Sequence, residues 1–507
     1  MNKLKRWLAS ALCALILASC APVALAAGGG NELIVAQASD AVSLDPHKTN
    51  DAASAVPMFQ IYDTLVKLDA DMKIVPGLAS EWTQVDDYTL EFKLLQGVKF
   101  HNGEELKASD VKFTFDRQTN PETAAPAAFM LSTLKETKVI DDYTVQMITS
   151  EKCASLLYNL THVDMGILNE KAVTEAGDGY ALSPVGTGPF KFVSWKKNQE
   201  IVLEKNPDYF GESAKVDKLT FRIIPESATG IAELQTGGID VLLNVQPQYA
   251  AQFAEGTGMK LAQFSTFTIK YLGFDMREAP FNDARVRQAI NYVTNKDAII
   301  KVAYSGSAEA LAGPLPAKIN GNNPDLVPYA YDVEKAKALM AEAGYADGFR
   351  TTLYLSDKEV DTKIATVMQG MLSQIGITVD LQVIEWGAYL KKTAEGCPMF
   401  LLGWTTVTAD ADNGMYANFH SSAWGSQGNR VFYKNERVDE LLDQGRAQFD
   451  PEARVKLYQE ACQLIYDDAA WDFLVAEQAM VGMRDYVEGF EPVPTTFYNF
   501  APVSVGK

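Results

Sequence analysis

Residues 351–384 constrain the fold of this chain more than any other stretch. Thr351 to Leu355 reads as a strand, and Lys358 to Gln374 carries a helical pattern. Gly376 breaks that helix, and Ile377 to Ile384 is the next strand. A strand, a helix and a strand in this order imply parallel strands joined by a right-handed crossover.

The first half of the chain is dominated by period-two patterns. Leu90, Phe92 and Leu94 alternate with Thr89, Glu91 and Lys93, and Tyr143, Val145 and Met147 repeat the pattern after the turn pair Asp141-Asp142. Ile201-Val202-Leu203 follows a polar turn at Lys196 to Asn198, which predicts a hairpin, and Leu219, Phe221 and Ile223 alternate before Pro225. Helices with start and stop signals fill the gaps. Asp332 precedes a helix over Val333 to Ala343 with Gly344 at its C′ position. Asp450 caps a helix with Pro451 at N1 and an apolar stripe at Val455, Tyr458, Cys462 and Ile465. Ser227 is placed to cap a short helix ending at Gly237-Gly238, and Asn282 or Asp283 opens one carrying Val286, Ile290 and Val293. This mixture predicts an α/β protein of several domains, and 507 residues make about three domain-sized units at ~150 residues each.

The first residues read as an address. Lys3, Lys5 and Arg6 precede an apolar stretch from Trp7 to Leu17, about half the ~20 residues a bilayer span needs, so it reads as a secretory signal. Two cleavage signals overlap. Leu17-Ala18-Ser19-Cys20 resembles a lipobox, which would remove residues 1–19 and lipidate Cys20; Ala24-Leu25-Ala26 is an A-x-A site that would remove residues 1–26. Either route predicts an exported, periplasmic or cell-envelope protein. No later segment reaches 18 uninterrupted apolar residues.

Charge and cysteine content exclude other classes. Lys and Arg total 45 against 65 Asp and Glu, a net charge of −20. Such a chain repels phosphate backbones, so no nucleic-acid partner is expected. Cys153, Cys397 and Cys462 allow at most one disulfide and are expected as buried thiols. There is no C-x-x-C and no Cys/His cluster, so neither a metal site nor a cofactor is expected. His47, His101, His162 and His420 occur in no H-E-x-x-H or H-x-H spacing, and there is no G-x-S-x-G, G-x-G-x-x-G or G-x-x-x-x-G-K. Gly186-Thr187-Gly188 runs into Pro189, whose missing N–H spoils a phosphate cradle, so it reads as a turn before a strand. His101 is expected to pack beside Phe100, and Arg285 and Arg287 to form a solvated or salt-bridged helix face. The carboxylates Asp410 and Asp412, or Glu385 beside Trp386, leave open an exported hydrolase.

Several motifs in order carry a resemblance. Ser43-Leu44-Asp45-Pro46 comes first, then Pro76-Gly77-Leu78-Ala79-Ser80-Glu81-Trp82 and Gly97-Val98-Lys99-Phe100-His101-Asn102-Gly103. Lys107-Ala108-Ser109-Asp110-Val111, Gly186-Thr187-Gly188-Pro189-Phe190 and Asn206-Pro207-Asp208-Tyr209-Phe210 follow. Tyr271-Leu272-Gly273-Phe274-Asp275 and the run Phe281 to Ile290 close the set. Each is weak alone, but together the chain resembles the family 5 extracellular solute-binding proteins, receptors of peptide, glutathione and nickel ABC importers.

The resemblance implies a type II periplasmic-binding-protein clamp of two lobes, with an extra small domain on the first. Lobe one would comprise residues 31–65, 176–264 and 485–507, the extra domain 66–175, and lobe two 265–484. It implies a monomer that traps a small peptide or peptide-like ligand between its lobes and hands it to permease and ATPase subunits. A chemoreceptor adaptor would use the same fold. The lobe-one segment with Thr49 and Asn50, and the loop with Trp404, Thr405, Thr406, Val407, Asp410, Asp412 and Asn413, would face the ligand. In peptide receptors of the family an Asp three residues after the Trp pairs with the ligand's amine; here that residue is Val407. Asp410 or Asp412 would then take the positive charge, or the ligand presents a displaced amine, as the glutathione type would. A nickel-chelate receptor would need His420.

Overall fold

The computed structural model describes residues 31–425 and 428–506. The signal segment and Cys20 lie outside the described residues. An eleven-stranded sheet runs through the molecule. Its path is Ile377–Ile384, Phe349–Ser356, Met399–Thr405, Met259–Phe274, Asp472–Arg484, Val241–Leu242, Glu32–Gln37, Lys218–Ile223, Glu200–Lys205 and Phe190–Lys196, with Ala308–Ala310 beside Asp472–Arg484. Phe349–Ser356 and Ile377–Ile384 are parallel over eight pairs, joined by the helix Glu359–Ser373, as the strand–helix–strand pattern requires.

Two strands link the lobes. Met259–Phe274 has 16 residues and Asp472–Arg484 has 13, well beyond the roughly 5–6 residues of an ordinary strand. Their pairing shifts register between Ser265 and Ile269. On one side of that irregularity Met483 and Gly482 pair with Val241 and Leu242. On the other, Thr268 to Phe274 pairs with Met399–Thr405. The expected boundary between residues 264 and 265 lies within the first of these strands, and that between 484 and 485 lies at the end of the second.

The segments read as alternating form a separate four-stranded antiparallel sheet, Ala79–Asp86, Thr89–Leu94, Thr144–Thr149 and Leu134–Asp141. Leu90, Phe92, Leu94, Val145 and Met147 turn to one face and bury against Val111 and Phe115 of the helix Ala108–Thr119. Asp332, Asp283 and Asp450 cap their helices as predicted, each accepting a backbone N–H. Ser227 does not: Glu226 precedes the helix Ser227–Thr236, and Ser227 is its first residue.

Other expectations shift with burial. Arg285 is exposed and paired with Asp283, but Arg287 is 5% exposed and donates to the carbonyls of Phe281, Asp468 and Ala469. It closes the end of a helix rather than facing solvent. Gly186 sits so close to the end of the helix Ala52–Ile61 that a Cβ would lie 2.1 Å from the Ile61 carbonyl oxygen. His101 is held there by polar contacts, its Nε2 3.0 Å from the Gly188 carbonyl. Cys153, Cys397 and Cys462 are free and buried. No helix among the described residues is long and apolar enough to cross a membrane.

Candidate functional site

The strand Met399–Thr405 delivers the Trp404 loop to the gap between the lobes. Gly403 pairs with Lys270, and a side chain there would meet the Ile269 carbonyl oxygen at 2.7 Å. The chain then turns, with the Thr406 N–H donating to the Phe267 carbonyl and Ala409 at φ 58°. Asp410 starts the helix Ala411–Phe419 by accepting the Asp412 N–H at 3.0 Å.

Two adjoining cavities open here. The larger, about 620 Å³, has Met130, Ser155 and Asn159 on one wall and Asp412, Tyr416 and Arg430 on the other. The smaller, about 510 Å³, reaches towards Asp51, Asp164, Val407 and Glu477. Asn50, Phe129, Trp404 and Asn413 line both. The walls touch directly: the Ala154 N–H donates to the Arg446 carbonyl at 2.7 Å.

The structure brings some of the expected residues to this cleft and turns others away. Trp404, Asn413 and Asn50 line both cavities, while Thr405 and Val407 line the smaller. The Trp404 indole N–H and the Asn413 carbonyl oxygen are buried without a partner. Such groups are costly to leave unpaired. Thr406 and Thr49 are buried and line neither cavity; the Thr49 hydroxyl donates to Asp51.

Asp410 and Asp412 depart from the expectation that one of them takes a ligand's positive charge. Asp410 is buried in a two-nitrogen grip by Arg454. Asp412 reaches the larger cavity, but Arg446 holds both its oxygens at 3.0 and 3.1 Å and Tyr458 donates to one of them. Burial opposes the Asp412 charge, and the Arg446 guanidinium more than offsets that, so the carboxyl is held below its usual range. Each carboxylate already has its cation. Glu385 accepts the Ala388 N–H at a helix start, and His420 stacks on Tyr416 at 4.3 Å; neither lines the two cavities. Among the described residues no cluster could hold a metal ion.

Two residues at the cleft were not singled out from the sequence. Arg430 lines the larger cavity and spends one nitrogen on the Leu390 carbonyl at 2.5 Å and the Thr393 hydroxyl at 2.8 Å. No carboxylate among the described residues forms an ion pair with it. Asp164 lines the smaller cavity, is 0% exposed, and has no partner for either carboxylate oxygen. Asp164 lies between Val163 and Met165, and Arg430 stands just before Val431-Phe432-Tyr433. That was the signal available. The larger cavity thus carries, in Arg430, a guanidinium with no carboxylate in an ion pair with it, and the smaller carries Asp51, Asp164 and Glu477 with no lysine or arginine among its lining residues.

A family model described as bacterial extracellular solute-binding proteins, family 5 Middle, matches residues 73–426. The chain is similar to the glutathione-binding protein GsiB of Pectobacterium atrosepticum, with 31% identity covering 98% of this chain and 97% of that one. Among solved structures it is similar to the periplasmic binding protein DppA from Helicobacter pylori in complex with the peptide STSA. That match has 32% identity and a TM-score of 0.84, covering 94% and 98% of the two chains. It is also similar to the oligopeptide-binding protein AppA of Bacillus subtilis in complex with a nonapeptide, with 27% identity and a TM-score of 0.81 over 94% and 99%. Charged cleft, two lobes joined by two long strands, and these matches agree: the chain belongs to the family 5 bacterial extracellular solute-binding proteins.

Proposed function

We propose that this protein is the receptor of an ABC importer, capturing a small zwitterionic, peptide-like solute of the glutathione type between its lobes and delivering it to a membrane permease. The charged interlobe cleft carries this reading. Its larger cavity, about 620 Å³, is within the roughly 300–1,000 Å³ typical of small-molecule sites. Arg430 supplies an anion-binding guanidinium, and the unpartnered Trp404 and Asn413 groups supply a donor and an acceptor. A relative named for glutathione binding supports the ligand class. The ion-paired state of Asp410 and Asp412 favours a receptor over a hydrolase. On this reading the protein is a monomer outside the cytoplasm, either cut after Ala26 or anchored through Cys20. The lobes divide where Met259–Phe274 and Asp472–Arg484 cross.

Ligand capture between lobes stabilises the folded state by ~2.7 kcal/mol at a hundredfold excess over Kd. Glutathione is expected to raise Tm and to shrink the radius of gyration in solution scattering. Mass spectrometry of solute co-purified from the native host identifies the ligand independently. Turnover of glutathione, or stabilisation by no peptide-like solute, would overturn the reading.

A further inference from the structure

Asp164 has the environment of a carboxyl that waits for a cation. It sits in the short turn Val163–Met165, its side chain walled in, with neither oxygen bonded to any group of the protein. Its neighbours do not neutralise it. His162 brings Nδ1 to 3.4 Å, but that nitrogen accepts the Asp164 N–H at 3.2 Å, and burial pushes the imidazole down to about 4, so it is neutral. Asp51 is occupied as the cap of the helix Ala52–Ile61, receiving the Ser54 N–H and the hydroxyls of Thr49 and Ser54. Glu477 accepts the Tyr304 hydroxyl at 2.8 Å. No lysine or arginine lines the cavity these groups share. A buried carboxyl without a partner is costly, and an apolar residue would fill the same place without that cost.

We infer that Asp164 receives the ammonium group of the bound solute in the smaller cavity, which the neutral Val407 also lines. The inference rests on the receptor reading above and fixes the ligand's direction: ammonium towards Asp164, carboxylate towards Arg430. Burial first, and then the nearby Asp51, push the empty Asp164 carboxyl well above its usual range, towards the protonated form. Capture then exchanges one cation for another. The carboxylic acid O–H bond breaks, the proton leaves to solvent, and the carboxylate pairs with the ligand's ammonium.

The exchange has a calorimetric signature. Glutathione, alanyl-alanine and their N-acetyl forms are titrated into wild-type protein and Asp164→Asn in phosphate and in Tris. Wild type is expected to release close to one proton per free-amine ligand, read from the difference in heat between buffers. Asp164→Asn is expected to release none and to bind the free-amine forms roughly tenfold to a hundredfold more weakly. Its affinity for the N-acetyl forms should be unchanged or better, and its Tm no lower. If the variant fails to fold, proton release by wild type alone decides. Free-amine ligands that bind wild type without proton release, or that release it equally from Asp164→Asn, overturn the inference and leave the receptor reading standing. If none of the four probes binds wild type, the receptor reading falls and the inference with it.

Discussion

Arg454 grips Asp410 with two nitrogens inside the second lobe, Nη2 at 2.7 Å from Oδ1 and Nη1 on Oδ2, with 6% and 1% of the two side chains exposed. The pair ties the cleft loop to the helix Pro451–Asp467, and Arg454 Nε adds a bond to the Gly445 carbonyl at 2.9 Å. Asp410→Asn would strand a buried guanidinium, a loss of about 3–5 kcal/mol. Urea melts of the ligand-free protein should show it, and Arg454→Met added to Asp410→Asn should recover part of the loss. Asp410→Asn that melts like wild type but binds no ligand would instead place Asp410 in the binding site.

Arg430 offers a guanidinium whose protein partners are a carbonyl and a hydroxyl. A ligand carboxylate there makes charge-assisted bonds worth about 1.5–3 kcal/mol. Arg430→Gln is expected to weaken a free-carboxylate ligand by roughly tenfold to a hundredfold and to leave its amide form nearly unaffected. Calorimetry on alanyl-alanine and alanyl-alaninamide makes the comparison; equal losses for both would mean that Arg430 only shapes the loop.

How much of this could be read from the sequence depends on the range of the cause. Alternation at Leu90, Phe92 and Leu94 and the caps at Asp332 and Asp450 are local, so the elements they mark stand in the structure within a residue or two. Arg287 misled because its helix looks amphipathic, while the carbonyls that draw it inside come from residues 468 and 469, far along the chain. Asp410 and Asp412 misled for the same reason: their arginines lie 44 and 34 residues away. Asp164 and Arg430 matter through what they lack, and a missing partner is visible only once every neighbour is in place.

Acid should unfold this protein early. Burial depresses His47 to about 3 and His101 and His162 to about 4, from 6.5. The folded state keeps these imidazoles neutral while the unfolded chain protonates them, so their stability is fully present above pH 6.5 and lost as pH falls towards 4. Each withdraws up to about 3 kcal/mol by pH 4. Asp472 acts in the opposite sense. Burial raises it to about 6, so the folded state takes up its proton between pH 6 and 4 and offsets roughly one histidine. Urea melts at pH 7.5, 6, 5 and 4.5 should show a net fall, and His47→Leu should flatten it by about one proton. A flat profile would mean that these histidines are solvated.

Val407 divides two cavities, lining the smaller arm of the cleft and a third space of about 260 Å³ that also meets Thr495 and Phe497, while packing on the core of the small domain. Val407→Asp puts a carboxylate in the cavity that Asp164 also lines. An ammonium near it gains a charge-assisted bond, so free-amine dipeptides should bind more tightly and N-acetyl dipeptides should not. The gain is limited by two opposing effects. Desolvating the new carboxylate costs several kcal/mol, and a further acid in a cavity that already holds Asp51, Asp164 and Glu477 and no lysine or arginine is itself pushed towards the protonated form. The expected outcome is a several-fold rise in affinity for alanyl-alanine, a lower Tm without ligand, and a larger proton release on binding than wild type shows. Calorimetry in two buffers reads affinity and proton release together. An equal change for alanyl-alanine and its N-acetyl form would put position 407 out of reach of the amine.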